Sequence, residues 1–286
     1  MKGANLKAPV KRLRWRARRL STAARWGAGE LDRMPVVIGN SMPKSGSHLI
    51  IQILEGLPKI GPFVNPGMPP LNRDEENVIQ SQQAILRNIQ RLKPGDFTYC
   101  YLKAVEPYLS ALTQPHIAPI FVYRDPRDMI ISHVFYATQM HPGHNMHRHY
   151  TEELKTMEER IHAAICGVDE EDSPLSGVAL KYSRYLDWLK QPQVLSLRFE
   201  ELILKRDVAI QRILDHLAGH GFFPSVSRAE AVEALKASVQ TRRSGTFRKG
   251  QPGDWREHFT AANIAFFKEQ TGDLLQRLGY EKDQDW

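Results

Sequence analysis

Four short runs of apolar, β-branched and aromatic residues punctuate the chain: 34–41 (MPVVIGNS), 97–102 (FTYCYL), 117–124 (IAPIFVYR) and 194–199 (VLSLRF). The first reads as a buried strand, 97–102 is identified by its β-branched and aromatic content, and the other two read as the third and fourth strands. Between and beyond them the apolar positions fall at helical spacing, over 46–57, 76–92, 106–114, 207–221 and 261–279. Lys93-Pro94-Gly95 and Gly221 supply stop signals. The stretch 56–74 is rich in proline and glycine and reads as a loop. Residues 151–167 read as a surface helix and 168–177 as an acidic loop. No internal repeat is visible. Strands alternating with helices predict an α/β fold with a central parallel sheet. Right-handed crossovers then gather the strand carboxyl ends on one edge. The loops after Ile38, Leu102 and Tyr123 are expected to meet there.

Charge divides the chain in two. Residues 1–33 carry ten Lys and Arg against Glu30 and Asp32, whereas the remainder is close to neutral. This predicts a basic arm over 1–33 and one α/β domain over 34–286. Within the arm Val10, Leu13, Ala17, Leu20 and Ala24 fall at helical spacing among arginines. The readings that fit are a solvated basic head, a helix lying on an anionic membrane surface, or a targeting or nucleic-acid-binding segment. No run of 18 apolar residues offers a membrane span. Cys100 and Cys166 are isolated, which argues against a zinc site or a disulfide scaffold and fits a reducing, cytoplasmic setting.

Candidate chemistry lies in three stretches. The first, "NSMPKSGSHLIIQIL" (40–54), joins a strand to a helix. A helix start offers unpaired N–H groups and positive dipole, Gly46 permits close approach, Ser45 and Ser47 add hydroxyls and Lys44 adds a charge, which together suit a phosphate. The triphosphate version, GxxxxGK[ST], has glycine before the lysine, where this chain has Pro43. The second, "VYRDPRDMIISHVFY" (122–136), sets Arg124 at a strand end and Ser132 two helical turns later. The third, "TFRKGQPGDWREHFT" (246–260), combines Arg248, Lys249 and Gly250 with Gly253-Asp254-Trp255.

In this order and at these separations the three stretches resemble the sulfotransferases that use 3′-phosphoadenosine 5′-phosphosulfate (PAPS), over roughly residues 34–286. The form of the first two looks like bacterial members. The resemblance implies a P-loop type three-layer fold with a central parallel sheet flanked by helices. It also implies a sulfuryl transfer from PAPS, with adenosine 3′,5′-bisphosphate as product and no metal. The family's KSGTTW loop grips the 5′-phosphosulfate, here Lys44, Ser45, Gly46, Ser47 and His48. Its 3′-phosphate arginine and serine match Arg124 and Ser132. Its RKGxxGDW motif matches Arg248, Lys249 and Gly250 through Trp255. An adenine-contacting aromatic position falls on Phe199, where tyrosine is usual.

The family's histidine base, in a K-T-H-L-P stretch, has no counterpart in "CYLKAVEPY" (100–108). Glu106 is the first substitute, ahead of Tyr101 and Lys103. His133 is a further histidine near the expected acceptor side. Lys44 is expected to act in catalysis by stabilising the leaving phosphate. The histidines His141, His144, His147 and His149 are read as a polar loop or lid in preference to a metal site. Two rival functions are an inactive PAPS-binding relative that docks elsewhere through the arm, and a P-loop kinase whose one candidate metal carboxylate is Asp125. The expected acceptor is a small molecule, sugar or glycolipid. Peripheral membrane contact through the arm is the other partner expected, with no nucleic acid.

Overall fold

The computed structural model describes residues 7–169, 171, 174–240 and 250–286. Among the described residues there are six strands: β1 (Val36–Ser41), β2 (Phe97–Cys100), β3 (Ile117–Tyr123), β4 (Gly167–Val168), β5 (Leu175–Ser176) and β6 (Leu195–Arg198). Four form a parallel sheet in the order β2–β1–β3–β6, while β4 and β5 make a small antiparallel ladder. The four main strands are those the apolar runs predict. The sheet is flanked by helices, and its two faces feed two apolar clusters. Val36 and Ile38 enter one with Phe121 and Tyr123, and Val37 enters the other with Ile120, Val122 and Leu197. Burial on both faces is why the apolar residues of β1 and β3 stand next to one another rather than alternating with polar ones.

Several helices are shorter than their spacing suggests. The expected helix over 76–92 is restricted to Gln82–Gln90. Upstream of it the Asp74 carboxylate accepts from the amides of Glu76 and Val78, holding a turn, and Ser81 caps the helix by accepting from Ala84 N–H. The segment 261–279 splits into Ala261–Thr271 and Leu274–Arg277 around Gly272, whose φ is 54°. The pattern over 46–57 ends as Ser47–Leu54 and a following short turn, Leu57–Ile60.

The basic arm forms a helix, Lys7–Trp26, docked on the body. Its docking face is polar and aromatic. Trp15 Nε1 and Arg19 Nη1 each lie 3.0 Å from Asp96 Oδ1, just ahead of β2. Arg18 donates to the Asn65 carbonyl, and Lys11 pairs with Glu75 at 2.5 Å. Asp96 is fully buried; burial raises its pKa, which the bonds from Lys93 N–H, Trp15 and Arg19 oppose. No described helix is long and apolar enough to cross a membrane.

Candidate active site

The loop after β1 turns sharply at the carboxyl edge of the sheet. Lys44 (φ 66°) and Gly46 (φ 94°) are both left-handed. Gly46 caps the Ser47–Leu54 helix, so the turn delivers that helix's free amides to the edge. A second constraint fixes glycine here. A Cβ at Gly46 would lie 2.6 Å from Phe199 Cδ2, because the Phe199 ring packs onto the loop from the end of β6. Ser45 Oγ is buried with no hydrogen-bond partner among the described residues, and Ser47 Oγ receives the Tyr101 hydroxyl at 3.1 Å.

Arg124 leaves β3 and lies across this loop. Its guanidinium sits 4.5 Å from the centre of the Phe199 ring, its Nη1 is 3.5 Å from the Lys44 carbonyl, and its Nε has no hydrogen-bond partner among the described residues. Tyr182 holds the backbone behind it by donating to the Arg124 carbonyl at 2.7 Å. Asp125 caps the next helix, Pro126–Phe135, by accepting from Arg127 N–H, and it pairs with the Arg127 side chain at 2.7 Å. Arg127 is enclosed further by Glu281 at 2.6 Å and by the rings of Trp255 and Trp286. Asp128, also buried, accepts from Gly253 N–H (2.7 Å) and Trp255 N–H (3.0 Å), with Arg124 Nη2 at 3.8 Å. This carboxylate ties the Gly-Asp-Trp turn to the first turn of the Pro126–Phe135 helix. Burial raises its pKa, which Arg124 and the two amides oppose.

These elements border one cavity of about 700 Å³. Lys44, Gly46, Ser47, His48, Arg124, Ser132, Phe199 and Gly250 all line it. Eight of the eleven sequence-predicted donor residues therefore meet. Ser45, buried within the same loop, is not part of the lining, while Arg248 and Lys249 lie outside the described residues. The Lys44 ammonium lies 3.4 Å from the centre of the Tyr136 ring; burial and the nearby Arg124 charge lower its pKa to about 8. Burial, then Lys44, lowers that of His48.

Glu106 is not brought to this cavity. It is exposed, and its carboxylate accepts from the Ser110 hydroxyl and amide at the start of the Tyr108–Leu112 helix. Lys103 is exposed as well, whereas Tyr101 reaches the wall. His133 lines the cavity with its Nε2 buried and unpartnered among the described residues. Burial, then Lys181, His144 and Lys44, push its pKa well below the usual imidazole value, so the ring is neutral at pH 7. His141 and His144 come from the histidine-rich loop to the same wall. His144 Nδ1 accepts from Met146 N–H, which puts that ring's proton on Nε2.

Two further cavity residues are not among the sequence candidates: Tyr136, the last residue of the 122–136 stretch, and Lys181. Lys181 lies in the cavity wall on the Val178–Ser183 helix, with burial lowering its pKa to about 8. A triphosphate site would want a free carboxylate for a metal, and Asp125 is committed to Arg127 and to its cap. Among the described residues one trio, Asp254, Glu257 and His258, places possible ligand atoms within 4.8 Å of one another, and it is not part of the cavity lining.

Comparisons with known proteins bear on the family and on the fold. The sulfotransferase domain family matches residues 35–279. A mouse sulfotransferase crystallised with PAP superposes with a TM-score of 0.59 at 16% identity, covering 92% of this chain and 91% of that one. Retinol dehydratase in complex with androsterone and inactive cofactor PAP gives 0.56 at 15% identity, covering 91% and 86%. At such identities the superpositions speak to fold alone. No curated protein sequence matches the chain. The family match spans most of the chain, including the loop at Lys44, the turn at Arg124 and the Gly-Asp-Trp turn, and on that ground the chain belongs to the sulfotransferase domain family.

Proposed function

We propose that the chain transfers a sulfuryl group from PAPS to a hydroxyl or amine of a small-molecule, sugar or glycolipid acceptor. The observation that carries this reading is the meeting of two cationic groups in one cavity. Lys44 with the helix amides forms one, and Arg124 with Ser132 the other. A ligand bearing two separated phosphates suits that division, and the unpartnered Ser45 Oγ and Arg124 Nε fit a phosphate-rich ligand. The loop then serves as a phosphate-binding loop of the P-loop type. Phe199, packed between Arg124 and Gly46, offers an apolar face for a base.

In the transfer the S–O bond to the 5′-phosphate breaks and a bond from sulfur to the acceptor forms. Lys44 and the amides of the Ser47–Leu54 helix stabilise charge on the departing phosphate. The acceptor proton passes to a base, and His133 replaces Glu106 in that role. It is neutral, it lines the cavity and its Nε2 has no other partner among the described residues. Donor phosphates beside Lys44 would offset part of the positive field that depresses the ring, making it a better base when the donor is bound.

Titration calorimetry with adenosine 3′,5′-bisphosphate, alongside ATP with Mg²⁺, tests the donor. Tight bisphosphate binding that Arg124→Ala loses is expected; preference for ATP would refute the reading. His133→Gln should keep bisphosphate affinity and lower turnover by roughly 10²-fold or more. Unchanged turnover would remove His133 from the mechanism.

A further inference from the structure

The Lys7–Trp26 helix faces the wrong way for an ordinary amphipathic helix. Apolar stripes normally pack on the core and leave charge outside. Here Lys11, Trp15, Arg18 and Arg19 engage the body, and the apolar stripe faces solvent. Val10, Leu13 and Leu20 are 47%, 68% and 73% exposed. Ala17, between Leu13 and Leu20, and Ala24, one turn beyond Leu20, are exposed as well. At 100° per residue, Val10, Leu13, Ala17, Leu20 and Ala24 form one continuous strip. Arg12 and Arg16 border one side, and Arg14 and Arg25 the other. None of these four arginines pairs with an acidic group among the described residues. The helix holds eight basic residues and no acidic one.

We propose that this outward face is a docking surface for an anionic lipid bilayer, with the helix lying flat in the headgroup layer while its inner face stays attached to the protein. The charge pattern selects this occupant. A second copy meeting the first through the same stripe would oppose two helices of the same high positive charge. A nucleic acid would use the arginines and leave the leucines in water. A bilayer satisfies both, with leucines at the acyl boundary and arginines at lipid phosphates. The polar inner face also explains how the stripe remains available: Asp96, fully buried, holds Trp15 and Arg19 and so fixes which side of the helix points outward.

The test is cosedimentation of the full chain with vesicles. Phosphatidylcholine alone is compared with phosphatidylcholine mixed with phosphatidylglycerol. Binding to the mixed vesicles, weakened by salt, is expected. Leu13→Glu with Leu20→Glu should lower partitioning by about tenfold or more, and Arg12→Gln with Arg16→Gln by a comparable factor. Both pairs change exposed side chains, and far-UV circular dichroism checks that the fold is kept. A Trp placed by Leu20→Trp should be quenched by brominated lipid. The proposal is overturned by absent binding, by equal binding to both vesicle types, or by the double glutamate variant binding like the parent. It is also overturned if the stripe instead drives self-association, or if duplex DNA binds as tightly as the vesicles whether or not the stripe is intact.

Discussion

Replacing Asp128 by asparagine keeps the shape of the side chain and removes its charge. In the parent the carboxylate accepts two short backbone bonds, from Gly253 and Trp255, and lies 3.8 Å from the Arg124 guanidinium. A hydrogen bond to a charged group contributes about 1.5–3 kcal/mol, and a neutral one about 0.5–1.5 kcal/mol. Asparagine has one acceptor oxygen, so one amide keeps a neutral bond and the other meets an NH₂ group. Two charge-assisted bonds become one ordinary bond, a gross loss of roughly 2–5 kcal/mol. Relief of the buried charge, seen in the raised pKa of Asp128, returns part of this. A net loss of about 2 kcal/mol follows, concentrated in the attachment of the Gly253–Trp255 turn to the Pro126–Phe135 helix. That turn follows Gly250 and Gln251, which line the cavity. Bisphosphate affinity should therefore fall about 30-fold, the equivalent of 2 kcal/mol. Amide exchange at Gly253 and Trp255 should quicken by a similar factor. Calorimetry and hydrogen exchange read the two effects. If Asp128→Asn leaves affinity within twofold and both amides protected, the carboxylate does not tether the turn as argued.

Two further outcomes follow from the loop after β1. Lys44 titrates near 8 in the free protein, and only its charged form attracts a phosphate. Affinity for adenosine 3′,5′-bisphosphate is thus full below about pH 8 and falls as pH rises above it, by up to about tenfold per unit, with proton uptake on binding. Calorimetry in buffers of different ionisation enthalpy measures that uptake, and Lys44→Arg should abolish the fall. Gly46→Ala places a Cβ against Phe199 in a left-handed backbone. It should cost about 1–3 kcal/mol in denaturant unfolding, part of which Phe199→Leu restores.

The legible parts of the molecule are those where local chemistry and topology coincide. Val36–Ser41 and Ile117–Tyr123 are buried on both faces, so their strand character is written in consecutive apolar residues, Val36–Ile38 and Ile117–Tyr123. Lys44, Arg124 and Phe199 sit immediately after strands, where a parallel sheet must bring its loops together. Glu106 fails that logic because side-chain direction in a loop depends on what the loop packs against, and Ser110 takes the carboxylate. Lys181 belongs to a helix whose approach to the site follows from tertiary packing, with no mark on its own segment. The arm misleads in another way. Its apolar spacing was legible, but the side it presents to the body is decided by the single buried carboxylate of Asp96, 81 residues from Trp15.

Lys44 also has a cost that the chain carries before any ligand arrives. Its backbone is left-handed, its ammonium is largely withdrawn from water onto the Tyr136 ring, and Arg124 repels it. The unfolded chain holds that proton up to an ordinary lysine pKa, so this group makes folding more favourable as pH rises from about 8 toward 10. Lys44 is thus a point of local frustration, where folding free energy is given up so that a phosphate meets a cation already stripped of water. Selection for thermal stability alone would drift away from lysine at this position, and variants so obtained would be sturdier and poorer binders. Any stabilised form of this protein should therefore be chosen under a ligand-binding selection.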